Sequence, residues 1–154
     1  ALVDLLDFVP EERADLREPL VAIIGEMADA LLAHRVDGVW YQIIDQPEAT
    51  GNYREASGSS MFVYMLAKAI NKGYLDASYR DATLESYRRL VEEFVNVSAS
   101  GFVSLTNVCQ VAGLGYGRDG SYRYYMSEPV VSNDPKGVGP FIMAGIEVSK
   151  LLSH

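Results

Sequence analysis

Two kinds of apolar helical pattern alternate along this chain, and the alternation narrows the folds open to it more than any single motif does. Over 10–35, Leu16, Leu20, Ile23, Ile24, Met27 and Leu31 recur at three- and four-residue spacing opposite Arg13, Glu18, Glu26 and Asp29. That is one buried stripe on a surface helix. Over 59–72 the pattern changes: Met61, Phe62, Val63, Tyr64, Met65 and Leu66, continued by Ala67, Ala69 and Ile70, cover almost every direction around the axis. This predicts a helix buried on several sides, stopped by Gly73. The one-sided pattern returns over 80–95, with Leu84, Tyr87, Leu90 and Phe94 against Arg88, Arg89, Glu92 and Glu93. Over 137–152 the helix is again apolar nearly all round, through Phe141, Ile142, Met143, Ile146, Val148 and Leu151.

Outer helices with one apolar face, alternating with inner helices that have no polar face, are what two concentric layers of antiparallel helices produce. A weak internal repeat agrees. Gly38-Val39-Trp40 leads through a polar loop to Gly58-Ser59-Ser60-Met61-Phe62, and Gly101-Phe102-Val103 leads through a longer one to Gly137-Val138-Gly139-Pro140-Phe141. Each unit runs surface helix, short extended segment, polar loop, buried helix. Such units stack into a helical solenoid or toroid, and two to three are too few to close a ring. The first residues, Ala1 to Phe8, read as the tail of an apolar helix with no N-cap before it, so the chain is expected to begin inside a larger protein.

Composition removes several function classes. A net charge of -8 with no cluster of Lys and Arg argues against a nucleic-acid surface. Cys109 is the only cysteine, so no intrachain disulfide forms, and His34 and His154 are too isolated to suggest a metal site. No signal-peptide pattern and no apolar run of membrane-spanning length is present. The compartment stays open between cytoplasm, periplasm and secretion.

Chemistry-bearing side chains concentrate just before each all-round apolar helix. Trp40, Tyr41, Gln42, Asp45, Asn52, Tyr53, Arg54 and Glu55 occupy the first loop; Arg118, Asp119, Tyr122, Tyr124, Asn133, Asp134 and Lys136 occupy the second. In a toroid these loops share one rim, and aromatic faces beside carboxylates and amides suit sugar rings and their hydroxyls. Structural readings stand beside the functional ones. Trp40 fits a plug between helix layers as well as it fits a rim. Glu55 fits a helix cap as well as a site residue, and Ser57 is better read as an N-cap. Asp134-Pro135-Lys136-Gly137 is turn chemistry at face value. Gly113-Leu114-Gly115-Tyr116-Gly117 lacks both the dinucleotide-binding spacing and the phosphate-loop lysine, and reads as a loop needing unusual backbone angles. Ser121 to Tyr125 alternates poorly for either helix or strand.

Five stretches taken together resemble a known family: Gly38-Val39-Trp40-Tyr41-Gln42 with Asp45; Asn52 through Phe62; Lys72-Gly73-Tyr74-Leu75; Arg118-Asp119-Gly120-Ser121-Tyr122 with Tyr124-Tyr125; and Asn133-Asp134 with Lys136 through Phe141. They are similar, in order and over nearly the whole chain, to the unsaturated rhamnogalacturonyl and glucuronyl hydrolases of glycoside hydrolase family 105 and its relative, family 88. Only the C-terminal half of that family is represented. The resemblance implies a six-fold double-helix toroid. It also implies removal of an unsaturated uronic acid from the non-reducing end of oligosaccharides left by polysaccharide lyases. The reaction is hydration of the C4–C5 double bond rather than attack at the anomeric carbon by two carboxylates. An aspartic acid protonates the enol ether and then activates water; the hemiketal rearranges and releases the rest of the sugar chain. Acting as acid and base in turn requires a tuned pKa. In the family this aspartate lies in the N-terminal half, with the arginine and tryptophan that hold the substrate carboxylate. No catalytic role is therefore assigned to Asp45, Asp119 or Asp134, and the chain by itself is expected to be inactive.

The expectation is thus an all-α fold, a partial (α/α)6 toroid of alternating inner and outer antiparallel helices with short extended segments in the loops. Residues 1–154 would form the C-terminal half of a single barrel domain. Trp40, Tyr53, Glu55 and Tyr122 are the expected substrate-binding residues. The expected partners are an unsaturated-uronate oligosaccharide and the N-terminal half of the same barrel, without metal, cofactor, nucleic acid or membrane. The rival reading is a non-catalytic helical-repeat module that binds carbohydrate or a protein through the same rim, and a third has the loops purely structural.

Overall fold

In the computed structural model, which describes residues 1–153, the chain runs α1 (Leu2–Leu5), α2 (Ala14–Ala33), α3 (Ala56–Asn71), a 3-10 turn (Ala77–Tyr79) and α4 (Arg80–Phe94). Then come β1 (Val95–Val97), β2 (Val103–Leu105), β3 (Val108–Cys109), α5 (Tyr122–Ser127), β4 (Val130–Val131) and α6 (Pro135–Leu152). His154, weighed above as a metal ligand, lies outside the described residues. The fold is mostly helical, as expected, but it also has two antiparallel strand pairs, of which only Val103 falls in a segment predicted to be extended; Gly38-Val39-Trp40 joins neither pair, and Val39 makes only an isolated bridge to Val36. β1 pairs with β2 through Val95 opposite Leu105, and β3 with β4 through Val108 opposite Val131. No helix among the described residues is long and apolar enough to cross a membrane.

The central helix is α3, which packs against both α4 and α6 and touches α1 and α2. Its all-round apolar sequence meets the predicted burial: Val63, Leu66, Ala67 and Ala69 have no exposed surface. Even Lys68 is buried there, with its ammonium 2.7 Å from Asp4 and 2.6 Å from Asp7, so α1 is pinned onto α3 by charge. The other all-round helix differs. On α6, Ala144, Val148 and Leu151 are buried, while Ile142, Met143, Ile146 and Leu152 are exposed. The cause is geometric: α6 packs on α3 and α4, which cover only part of its circumference.

Helix starts also depart from the periodicity. Pro10-Glu11-Glu12 stays outside α2, whose N-cap is Arg13. α3 begins before its serines, because Glu55 is the N-cap and its carboxylate accepts the Gly58 N–H. Ser57 is therefore inside the first turn and caps nothing; its hydroxyl donates to Glu55 at 2.8 Å. Asp134-Pro135 is likewise a helix start rather than a free turn, with Asp134 accepting the Lys136 N–H and Pro135 in the first helical position. Tyr122 to Ser127, without clear periodicity, forms the short helix α5 because Ser121 caps it. Gly137 is buried at the first turn of α6, where a Cβ would stand 2.6 Å from a Val108 methyl. Only glycine lets β3 lie so close to α6.

Candidate functional site

The N-terminal turns of α3 and α6 open onto one cleft of about 450 Å³. Ser57 and Met61 come from α3, and Lys136 and Pro140 from α6. Gln42 enters from the loop before α3, and Cys109, Val111 and Ala112 form a wall that follows β3. The lining combines an apolar surface (Met61, Val111, Pro140) with an ammonium, an amide and a hydroxyl. That is the make-up of a small-molecule site, apolar walls with few oriented polar groups. Two helix N-termini add positive potential, which Glu55 and Asp134 partly offset at the caps.

The wall is held from beneath. Glu55 is 5% exposed, and both of its oxygens are engaged. One accepts the Gly58 N–H at 2.5 Å; the other accepts the Ser57 hydroxyl at 2.8 Å and the Cys109 N–H at 2.9 Å. The backbone repeats the junction, with Glu55 N–H donating to the Trp40 carbonyl and Ala56 N–H to that of Asn107, both at 2.9 Å. Three chain segments meet at this residue.

Trp40 is 1% exposed, its indole N–H donates to the Leu31 carbonyl at 2.7 Å, and its ring meets Phe62 edge-on at 5.3 Å. It is a core residue that ties α2 to α3. The Tyr53 hydroxyl is buried beside the Cys109 thiol with no hydrogen bond of acceptable geometry, and burial pushes its pKa well up. The Cys109 thiol is also pushed up, first by burial and then by the charges of Glu55 and Glu128. The Gln42 amide approaches that thiol at 3.6 Å. Tyr122, at the start of α5, donates to the Thr50 carbonyl at 3.1 Å and so ties the second loop to the first. The fold thus brings Trp40, Glu55 and Tyr53 into one neighbourhood behind the cleft, with Tyr122 farther along the loops. The cleft itself is lined by other side chains, of which Gln42 and Lys136 belong to the two polar loops picked out in sequence. Cys109 carried no signal for the wall, because the two-residue β3–β4 pairing that places it leaves no period in the sequence, and Val111 follows just after that strand.

Asp119 and Asp134, the two loop aspartates with identifiable donors on their carboxylates, are held in the ionised form. The Ser121 amide and hydroxyl hold Asp119 below the usual carboxylate range, and Lys136 does the same for Asp134, by its ammonium and its amide. Among the described residues no group of three His, Cys, Asp or Glu side chains could hold a metal ion. The glycine-rich loop has the unusual backbone predicted for it, with left-handed φ at Gly115, Tyr116, Gly117 and Gly120.

A family 105 glycoside hydrolase of C. acetobutylicum superposes with a TM-score of 0.93 at 44% identity, over 97% of this chain and 42% of that one. A glycosyl hydrolase family 88 structure from Bacteroides vulgatus, at 20% identity and a TM-score of 0.69, shares the fold over 97% of this chain and 40% of that one. The 24.9 kDa protein in the picA locus of Rhizobium radiobacter is 40% identical over 162 residues, spanning 96% of this chain and 66% of that protein. This chain therefore spans about two-fifths of the solved structures and 66% of the curated relative. The match to Glycosyl Hydrolase Family 88 runs from residue 1 to residue 152, and the chain belongs to that family.

Proposed function

We propose that this chain is the C-terminal arc of an (α/α)6 toroid that removes a 4,5-unsaturated uronic acid from lyase-generated oligosaccharides, such as those of rhamnogalacturonan, by hydrating the double bond. The observation that carries the reading is the 0.93 TM-score at 44% identity with the family 105 glycoside hydrolase, over 97% of this chain. The cleft supports it. Met61, Val111 and Pro140 offer an apolar surface to a pyranose face, while Gln42 and Ser57 take its hydroxyls. Lys136 and the positive end of α6 attract a uronate carboxylate. Tyr122 stands at the edge of this arc, and Trp40, Tyr53 and Glu55 support it from behind the cleft. The exposed apolar side of α6, with Ile142, Met143 and Ile146, would be covered by the N-terminal half of the barrel.

The proton chemistry is assigned to an aspartate from that other half. The held-down pKa values of Asp4, Asp7, Asp119 and Asp134 argue against each of them as the general acid. The chain alone would bind weakly and turn nothing over.

Amide chemical shifts of the chain test the reading as an unsaturated rhamnogalacturonan disaccharide is titrated in. Shifts at Gln42, Ser57 and Lys136, larger than those caused by the saturated disaccharide, are expected. An unchanged spectrum, or shifts confined to the opposite ends of the helices, would overturn it. One observation favours a second reading, a non-catalytic carbohydrate-binding module. The chain covers 66% of the 24.9 kDa relative but only 42% of the family 105 enzyme, so a protein 40% identical to this chain is shorter than that enzyme. Equal binding of saturated and unsaturated sugars would favour it.

A further inference from the structure

Three hydrogen-bond donors converge on the Glu55 side chain from two separate parts of the chain: the Gly58 N–H and Ser57 O–H of α3, and the Cys109 N–H of β3. Only an acceptor at both terminal positions satisfies them. A carboxylate accepts at both oxygens and donates at neither, whereas glutamine would turn an NH2 group toward one of the two N–H donors. Aspartate, one methylene shorter, would lose one side of the junction. The Cys109 N–H has no strand partner to fall back on, since the next amide, Gln110, is the one that donates to the Pro129 carbonyl across the β3–β4 pair. The residues that follow Cys109, Val111 and Ala112, are those that wall the cleft, and Ser57 is part of its floor.

We propose that Glu55 is a positioning residue of the cleft: its carboxylate clamps the Cys109–Ala112 wall to the first turn of α3, and the position requires a carboxylate rather than any helix-capping side chain. The relevance of the clamp to sugar binding rests on the reading of the cleft given above; the clamp itself does not. A cap that served α3 alone would need only the Gly58 contact. The 2.9 Å bond to Cys109 spans 54 residues and couples the helix start to the wall.

Cys109 is the only cysteine in the sequence, so its alkylation by iodoacetamide reports on the wall without a sugar. In the full chain, Glu55→Gln is expected to raise the alkylation rate about tenfold or more, the scale of one lost charge-assisted hydrogen bond in a local opening equilibrium. Val63→Ala, which empties part of the α3 core without touching the clamp, should destabilise the fold yet leave that rate within about threefold. The pH profile separates wall motion from charge. Removing the Glu55 charge alone would lower the thiol midpoint and leave the high-pH plateau unchanged, whereas an opened wall raises the plateau itself. An unchanged plateau, or an equal rise in Val63→Ala, would overturn the proposal. If Glu55→Gln does not fold, amide exchange in the native chain decides: Cys109 should be protected to the level of Gly58, and exchange as fast as at Val111 would overturn it. Titration with the unsaturated disaccharide is a separate readout. A native chain that shows the clamp but ignores the sugar refutes the function and leaves the clamp standing.

Discussion

Lys68 of the central helix places its ammonium 2.7 Å from the Asp4 carboxylate, holding the first turn of the chain against α3. Asp7 completes the cluster at 2.6 Å, and Tyr64 also donates to Asp4. Removing the Lys68 ammonium would leave Asp7 with Lys72 alone, 3.0 Å away, and take from Asp4 the cation that ties it to α3. Lys68→Ala is expected to cost about 1–3 kcal/mol in urea unfolding, less than a fully buried pair because both acids are partly exposed.

The same cluster sets an acid limit. Burial works to raise the Asp4 pKa, but Lys68 and Tyr64 outweigh it and hold it down, and Lys68 with Lys72 holds Asp7 down. Carboxylates lowered on folding contribute stability above their unfolded pKa of about 3.9 and lose it as pH falls through the folded value. Unfolding midpoints measured from pH 7 downward should therefore drop below about pH 4 in the native chain, and less steeply in Lys68→Ala.

Trp40 is the only tryptophan in the sequence, and it is buried. Its emission should be blue-shifted and resist acrylamide quenching, and the unsaturated disaccharide should leave it unchanged. Trp40→Phe removes the bond to Leu31 and part of the ring volume, for an expected loss of about 2–3 kcal/mol. A red-shifted, quenchable emission would return Trp40 to the rim.

Trp40 shows where reading the sequence reaches its limit. A Gly-Val-Trp segment before a polar loop fits a plug and a rim equally, and what decides is the Leu31 carbonyl on another helix, which no local pattern reveals. The burial of α3 on several sides was legible because its apolar residues point in opposite directions, as with Val63 and Met65, both buried and two positions apart on the helix. The half-exposed state of α6 was not, since periodicity reports which faces are apolar and not which neighbours cover them. In the candidate site, Lys136 and Gln42 were visible as polar loop residues. The Cys109 wall was hidden because a two-residue strand pairing with Val130 leaves no period to detect.

Gly137 tests the contact that sets the wall against α6. A Cβ there would stand 2.6 Å from Val108 and 3.3 Å from Leu105. Gly137→Ala should destabilise by about 1–3 kcal/mol through overpacking and raise Cys109 alkylation, because β3 must move away. Thermal melting and the labelling rate together check this.

Lys136 is half-exposed, and its side chain pairs with Asp134 at 2.7 Å. Lys136→Ala is expected to leave the melting temperature nearly unchanged, as exposed pairs contribute only about 0–1 kcal/mol. It should weaken binding of the unsaturated disaccharide about tenfold at low salt, the scale of one charge-assisted hydrogen bond, and by less at high salt. Calorimetric or NMR titration at two ionic strengths measures both effects.

If this chain serves as the C-terminal arc of an unsaturated-uronate hydrolase, it should work in place of the matching segment of a related enzyme. The most direct measurement replaces the matching segment of the C. acetobutylicum family 105 enzyme, 44% identical to this chain, with residues 1–152. The enol-ether absorbance of an unsaturated rhamnogalacturonan disaccharide is then followed over time. The parent enzyme and the chimera are both expected to remove the absorbance, while this chain alone leaves it unchanged. A folded chimera that does nothing under conditions where the parent is active would contradict that role, as would a parent enzyme with no activity on that sugar.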